Sequence, residues 1–392
     1  MDSLPGKDIP TKAIVVQKPH APFELRDVIL DEVRAHEVLV QMKFTGICHT
    51  DLVVQDGDIP VGSYPAVLGH EGAGIIRRVG KDVQDLHVGD LALLSFASCM
   101  SCSVCKEGRK GSCAEFTYIN FVGARGPESS PIRLPDGQRV RGQFFGQSSF
   151  SELAVVDARS VVKYSGEEKD LSFLAPLGCG YMTGAGTILN VLKPRTTSSV
   201  AVFGLGAVGL AAIMAAKMEG VQEIIAVDIV TWKLEMATKL GATHTIDPKQ
   251  GDFLDAVHKR CPDGIEYIVD TTGSISMINN GIKALGHAGT LALVGVPKPT
   301  DQIEANAIDI LSSCKRIIGV ILGSTDPQEF LPRLLDMVQS GSFPVNLLSA
   351  VYPAKDVNQA IADMKAGKVS SFYRHWLYLT IDVQVIKPVL AW

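Results

Sequence analysis

Short runs that alternate apolar and polar positions fill residues 10–95, among them KAIVV (12–16) and EVLVQMKF (37–44), with Gly and Pro between them. A period of two turns one face of each run inward, which predicts an antiparallel β body of strands and turns. From about residue 198 the pattern changes. SSVAVFG is a continuous apolar strand, AVGLAAIMAAKMEG a helix ending in Gly, and EIIAVDI another strand. WKLEMATKLG then reads as a helix, and EYIVDTTG and GTLALVGVP as strands. Strands buried on both faces and alternating with helices predict a parallel, doubly wound sheet. Two helical stretches follow, DPQEFLPRLLDMVQSG and AKDVNQAIADMKAGK. The polar, turn-rich segment 123–142 is expected on the surface.

Composition narrows the picture. A chain of 392 residues is expected to form two domains, and 46% hydrophobic content is ample for their cores. A net charge of −5, with only GRKG (108–111) and RVR (139–141) as basic clusters, argues against nucleic acid as a partner. The uncharged run 199–216 could suggest a membrane span, but Gly204, Gly206 and Gly209 suit a turn better, so no membrane partner is expected. MDSLPGKDIPTKA lacks the apolar stretch of a signal peptide. A cytoplasmic location follows as an expectation, and there cysteines bind metal or react rather than pair.

Gly204, Gly206 and Gly209 form G-x-G-x-x-G between a strand and a helix, the context a dinucleotide turn requires. The first glycine makes the turn, the second admits the diphosphate and the third allows close helix packing. Asp228 ends the next strand. An acid there accepts hydrogen bonds from a ribose 2′-hydroxyl and repels a 2′-phosphate, favouring NAD over NADP.

Half of the eight cysteines lie within 15 residues, as Cys99, Cys102, Cys105 and Cys113. The spacing C-x2-C-x2-C-x7-C suits one tetrahedral zinc with no open position, a structural site. Four independent thiols fit that spacing poorly, and an iron–sulfur cluster would have no evident electron path. Cys48 in GICHTDL, His70 and Glu71 in GHEGAG, and Cys179 in PLGCGYMTGAG are too far apart to be joined from the residues alone. Taken by itself, Cys48 could be a ligand, a nucleophile or a core thiol.

Nearly the whole chain resembles the zinc-dependent medium-chain alcohol dehydrogenases. Gly69-His70-Glu71, Gly74, Gly80 and Val83 fit the family signature G-H-E-x2-G-x5-G-x2-V. The four-cysteine loop, GLGAVG at 204–209 and VGVP at 294–297 follow in order. FFGQSSF (144–150) and PLGCG…TGAG (176–186) look closest to the aryl (benzyl) alcohol branch. The resemblance implies an α/β chain with a GroES-like β-rich catalytic domain at 1–182, carrying the structural zinc loop 99–113. A Rossmann domain would occupy 183–323, and residues 324–392 would return to the catalytic domain. It implies two zinc ions, the catalytic one on Cys48, His70 and Cys179, and hydride exchange between an alcohol or aldehyde and NAD.

By the same resemblance Thr50 is the first proton acceptor, Asp51 orients His70, and Glu71 is a carboxylate near the metal. His49 faces the cofactor diphosphate. Thr183 and the backbone at Val294 and Val296 hold the nicotinamide. Leu205 lies in the glycine turn, Lys233 flanks the adenosine ribose, and Lys387 helps bind the diphosphate. A homodimer or homotetramer is the family habit. Val53 stands where some relatives carry a proton-relay histidine, and Ser95 where relatives place a pocket side chain, commonly aromatic. The resemblance favours a primary, aromatic or allylic alcohol, with a polyol, a secondary-metabolite intermediate or a catalytically silent cofactor binder as alternatives.

The tail is unusual. Deleting Val369–Gln384 joins AGK to VIKPVLAW without a seam. Val369-Ser370, Leu379-Thr380 and Gln384 can be encoded by splice donor, branch and acceptor signals. The sixteen residues therefore read as a retained intron, the alternative being a genuine loop extension.

Overall fold

A computed structural model describes residues 4–59, 62–367 and 385–392; the segment 369–384 lies outside the described residues. The chain divides into two compact units. The first comprises Met1–Cys179, Pro327–Leu331 and Pro344–Trp392, and the second Gly180–Asp326 and Pro332–Phe343. The boundary thus falls at Cys179/Gly180, and 332–343, expected with the returning segment, packs in the second unit. The helix Pro327–Gln339 is shared between the units, with Pro332 inside it.

The first unit contains two β-sheets. A five-stranded sheet runs Ala66–Val67, Ile9–Val16, Phe23–Leu30, Ile132–Arg133, Arg139–Val140. In the seven-stranded sheet Glu37–Gly46 is the hub, pairing antiparallel with Gly72–Val79, Leu153–Asp157 and the final strand Lys387–Ala391. Val38, Val40 and Met42 on the hub pack with Ile76, Leu94 and Val156, all buried. Each such side chain contributes roughly 1.5–3 kcal/mol by leaving water. The hub's alternation therefore fixes its register, and with it where Cys48 emerges two residues past its end.

Segment 123–142 lies only partly at the surface: Pro127, Glu128 and residues 135–139 are exposed as expected, while other parts of it pack inward. It supplies two short strands, and Ile132, Leu134 and Val140 are buried. Its Arg125 side chain is almost inaccessible, donating to Glu37 at 2.6 Å, Asp31 at 2.9 Å and the Glu32 carbonyl at 2.7 Å. Polarity suggested exposure, but the carboxylate that admits this guanidinium is 88 positions away.

The second unit is built on six parallel strands in the order His244–Ile246, Glu223–Val227, Ser199–Phe203, Ile265–Asp270, Leu285–Leu293, Arg316–Gly319. The order reverses beside Ser199–Phe203, the strand that feeds the glycine turn, and such switch points are where open α/β sheets bind ligands. Phe203, Val227, Ile268 and Leu291 lie in its core. Among the described residues no helix is long and apolar enough to cross a membrane.

Candidate active site

Cys48 caps the helix His49–Gln55 in extended conformation. Its N–H donates to Asp51 Oδ2 at 2.9 Å. The other Asp51 oxygen accepts from the Gly69 N–H and faces His70 Nδ1, both at 3.0 Å. One inaccessible carboxylate therefore ties two loops together and holds the proton on Nδ1, leaving the Nε2 lone pair available. That Nε2 is buried and has no hydrogen-bond partner among the described residues. Cys179 arrives from the turn Ala175–Gly178, which lies so close to the strand Leu91–Leu94 that a Cβ on Gly178 would stand 1.9 Å from the Leu94 carbonyl.

Ligand atoms of Cys48, His70, Glu71 and Cys179 all lie within 4.8 Å of one another. Zinc bonds of about 2.0–2.3 Å would set tetrahedral ligands roughly 3.3–3.8 Å apart. The sulfurs of half-buried Cys48 and buried Cys179, with the buried imidazole nitrogen, fit that ion.

The electrostatics agree with that fit. A hydrogen bond from Cys179 holds the Cys48 thiol well below its usual range despite burial, with Lys387 and His70 adding to the effect. Cys179 is pushed well above its range by that same interaction and by burial. Burial alone would lower His70, but the charges of Asp51 and Cys48 outweigh it and raise the imidazole. Glu71 is raised to about 7 by burial, against the pull of Lys387.

Gln147, fully buried, clamps the backbone on both sides of Glu71. Its Nε2 donates to the His70 carbonyl at 3.0 Å and the Ser95 carbonyl at 2.6 Å, while Oε1 accepts from the Gly72 N–H at 3.0 Å. The Phe145 ring stacks on the His70 imidazole, with centroids 4.5 Å apart and planes at 28°; Phe144 meets it edge-on at 5.4 Å. Gln143, Phe145 and Ser148 all have positive φ. Such non-glycine residues cost on the order of 1–3 kcal/mol each, so the surrounding contacts must hold this bend in place.

The second cluster is local. The sulfurs of Cys99, Cys102, Cys105 and Cys113 also lie within 4.8 Å of one another, with Cys99 and Cys105 at 3.8 Å. The Cys102 N–H points at the Cys99 sulfur, helping lower that thiol to about 6, while burial pushes Cys105 up to about 12. Four sulfurs close a zinc tetrahedron without a vacant position.

In the second unit Gly204 turns at φ 84°, and a Cβ on Gly209 would stand 1.9 Å from the Gly204 carbonyl. Gly206 caps the helix Ala207–Met218, and a Cβ there would meet nothing within 4 Å, leaving room for a diphosphate. Asp228 Oδ2 accepts from the Leu205 N–H at 2.8 Å and Oδ1 from the Val230 N–H at 3.0 Å, so the acid is fastened to the turn.

Comparison with known proteins decides the family. Residues 34–166 match the alcohol dehydrogenase GroES-like domain, and residues 207–340 the zinc-binding dehydrogenase domain. Geraniol dehydrogenase of Castellaniella defragrans is 36% identical over 361 residues, covering 92% of this chain and 96% of that protein. The chain belongs to the zinc-dependent medium-chain alcohol dehydrogenases. Among solved structures, benzyl alcohol dehydrogenase from Acinetobacter calcoaceticus superposes with a TM-score of 0.88 at 37% identity, covering 97% of this chain and 99% of that one. An alcohol dehydrogenase zinc-binding domain protein from Burkholderia ambifaria gives 0.89 at 38%, covering 97% and 98%.

Within this chain the remaining expected residues fall in several places. Thr50 is half-buried, its Oγ1 3.8 Å from the Cys48 sulfur, whereas His49 is exposed. Thr183 is buried in the helix Gly180–Gly186. The Val294 N–H donates to the Asp270 carbonyl, and Val296 is exposed. Lys233 lies 5.9 Å from the Trp232 ring centroid.

Two expectations need correction. Lys387, expected at the diphosphate, buries its ammonium against Glu71 at 2.7 Å and the Ile47 carbonyl at 3.0 Å, because its strand pairs with the end of the hub. Ser95, expected at the position of a pocket side chain, is fully buried and donates to the Gly178 carbonyl at 2.7 Å. Sequence reading gave Gln147 and Phe145 no role. Their one signal was a polar Gln-Ser-Ser between aromatics, where an ordinary strand would alternate.

Proposed function

We propose that this alcohol dehydrogenase interconverts primary, aromatic or allylic alcohols and their aldehydes, with NAD as the hydride carrier. The observation that carries the reading is the convergence of the Cys48 and Cys179 sulfurs with a His70 Nε2 that has no hydrogen-bond partner among the described residues, backed by Asp51. A zinc ion on these three residues would act as a Lewis acid on the substrate oxygen, and the dinucleotide would accept or return hydride. Asp51 keeps the imidazole in the ligating tautomer. Thr50 Oγ1, beside the Cys48 sulfur, takes the proton from the substrate hydroxyl. With valine at position 53, exposed His49 is the side chain that passes the proton to solvent.

Asp228 supports NAD, since a carboxylate bound to the turn's own amide leaves no welcome for a second phosphate. The geraniol and benzyl alcohol activities named for the two relatives support an allylic or aromatic substrate. Self-association is proposed too: exposed Ile308 and Leu311 offer an apolar patch that a second copy would cover, and light scattering checks it.

The test is initial-rate NADH formation by purified, zinc-loaded chain with benzyl alcohol and geraniol, with and without a phenanthroline chelator. Turnover that the chelator abolishes, with kcat/KM at least about tenfold higher for NAD than for NADP, is expected; the ratio corresponds to about 1.4 kcal/mol. Dinucleotide binding without turnover across an alcohol panel would overturn the reading.

A further inference from the structure

We propose that the four-cysteine loop does more than fasten its own segment: it positions His70 for metal binding through phenylalanine rings, with Phe116 and Phe145 as the positioning residues. The proposal rests on the reading of His70 as a metal ligand.

The rings form an unbroken path within the first unit. Phe116 follows the fourth cysteine by three positions, and its N–H donates to the Cys113 carbonyl at 3.0 Å. Its ring meets Phe145 edge-on at 5.8 Å, and Phe145 in turn stacks on His70 at 4.5 Å. Phe121 braces the path, 5.3 Å from Phe145 and 6.5 Å from Phe116. The root of the loop is closed by Asn120, fully inaccessible. Its Nδ2 donates to the Ala97 and Phe116 carbonyls at 2.9 Å each, and its Oδ1 accepts from the Ala97 N–H at 3.0 Å. Two residues before Cys99 and three after Cys113 are thus held by one side chain.

His70 needs this support because its other restraint acts in a different direction. Asp51 fixes Nδ1 in the plane of the ring, and a single hydrogen bond tolerates considerable tilt about its own axis. The face of Phe145 and the edge of Phe144 oppose that tilt. Phe145 itself sits at φ 53°, a conformation its own backbone does not favour, so it stays there only while its neighbours hold it. Those neighbours include His70, the adjacent Phe144 ring at 4.8 Å, and the rings of Phe116 and Phe121. If the four-sulfur loop opens, Phe116 loses its turn, Phe145 can relax, and the imidazole loses its backing. Coupling of this kind is reciprocal, so an ion at His70 should also steady the ion in the loop.

The experiment uses the full chain with zinc in the four-cysteine loop and cobalt(II) in the three-ligand site. Visible absorption and the rate of cobalt loss to a chelator report that geometry independently of turnover. Phe116→Leu keeps the apolar volume and removes the ring. It is expected to shift the cobalt bands and speed cobalt release about tenfold, the lower range for outer partners of a metal ligand, with kcat falling more than KM rises. Phe116→Tyr, which restores a ring, should return both readouts to the parent values. Combining Phe116→Leu with Phe145→Leu should add little to Phe145→Leu alone, since both break one path. Unchanged bands and release in Phe116→Leu, with only a lower Tm, or strictly additive effects in the double variant, would overturn the proposal. Should Phe116→Leu not fold, Phe121→Leu removes the other ring on Phe145, and the same outcomes decide. Absence of thiolate-to-cobalt absorption in the parent chain would instead sink the ligand assignment itself.

Discussion

Cys99, Cys102, Cys105 and Cys113 gather their four sulfurs from one short loop, and the partners that stabilise them are mostly amides of that same loop. Cys48, His70 and Cys179 come from three separated turns, and the buried side chains around them are Asp51, from the helix that Cys48 caps, and Gln147 and Lys387, from distant segments. The first set is saturated by its own ligands. On the reading proposed above, the second would hold an ion by two sulfurs and one imidazole, with Glu71 turned to Lys387, and so would keep a position for substrate. A site that must stay open cannot rely on its ligands alone for rigidity. Here the buried carboxylate, amide and rings provide it.

Removing a ligand from the open cluster is the most severe way to test this contrast. His70→Ala should leave one metal ion per chain instead of two and lower turnover about a thousandfold or more, with the far-ultraviolet dichroism unchanged. Metal analysis beside a rate assay checks it, and retention of both ions would erase the distinction between the clusters.

Acid sharpens it next. Against its burial, the charges of Asp51 and Cys48 raise His70, and the interaction with Cys48, together with burial, raises Cys179, whereas the hydrogen bond from Cys179 lowers Cys48. Metal must displace protons from the two raised groups, so affinity at this cluster should fall as pH falls. Competition with a chromophoric chelator across pH measures the slope, and a pH-independent affinity would contradict the assignment.

Asp51→Asn keeps the size of the side chain and removes the charge behind His70. About 10–100-fold weaker metal binding at the open cluster is expected, with the four-cysteine ion unaffected. Cys113→Ala should have the smallest effect on turnover, about tenfold, while lowering Tm by roughly 5–10 °C in a thermal scan. If turnover vanished instead, the loop would have to reach the substrate site in some way other than through Phe116.

Much of this was readable before any coordinates. Alternation at EVLVQMKF predicted the hub strand, and the continuous apolar runs after residue 198 predicted the parallel sheet, because burial on one face or two is written directly into residue order. Segment 123–142 keeps exposed stretches, but its inaccessible Arg125 side chain was not legible for the complementary reason: a charged residue looks exposed until its partner is known, and Glu37 belongs to another strand. Lys387 was misplaced likewise, its partner Glu71 lying 316 positions away.

By itself the amino-acid order determined the four-cysteine spacing, the glycine turn and the strand and helix periods, each of which is complete within a few turns of chain. Tertiary structure alone brought Cys48, His70 and Cys179 together, placed Asp51 behind the imidazole and Lys387 against Glu71, and laid Phe145 on the histidine face. Those contacts cross between sheets and loops remote in sequence, and packing of the hub strand's apolar face sets the register that makes them meet.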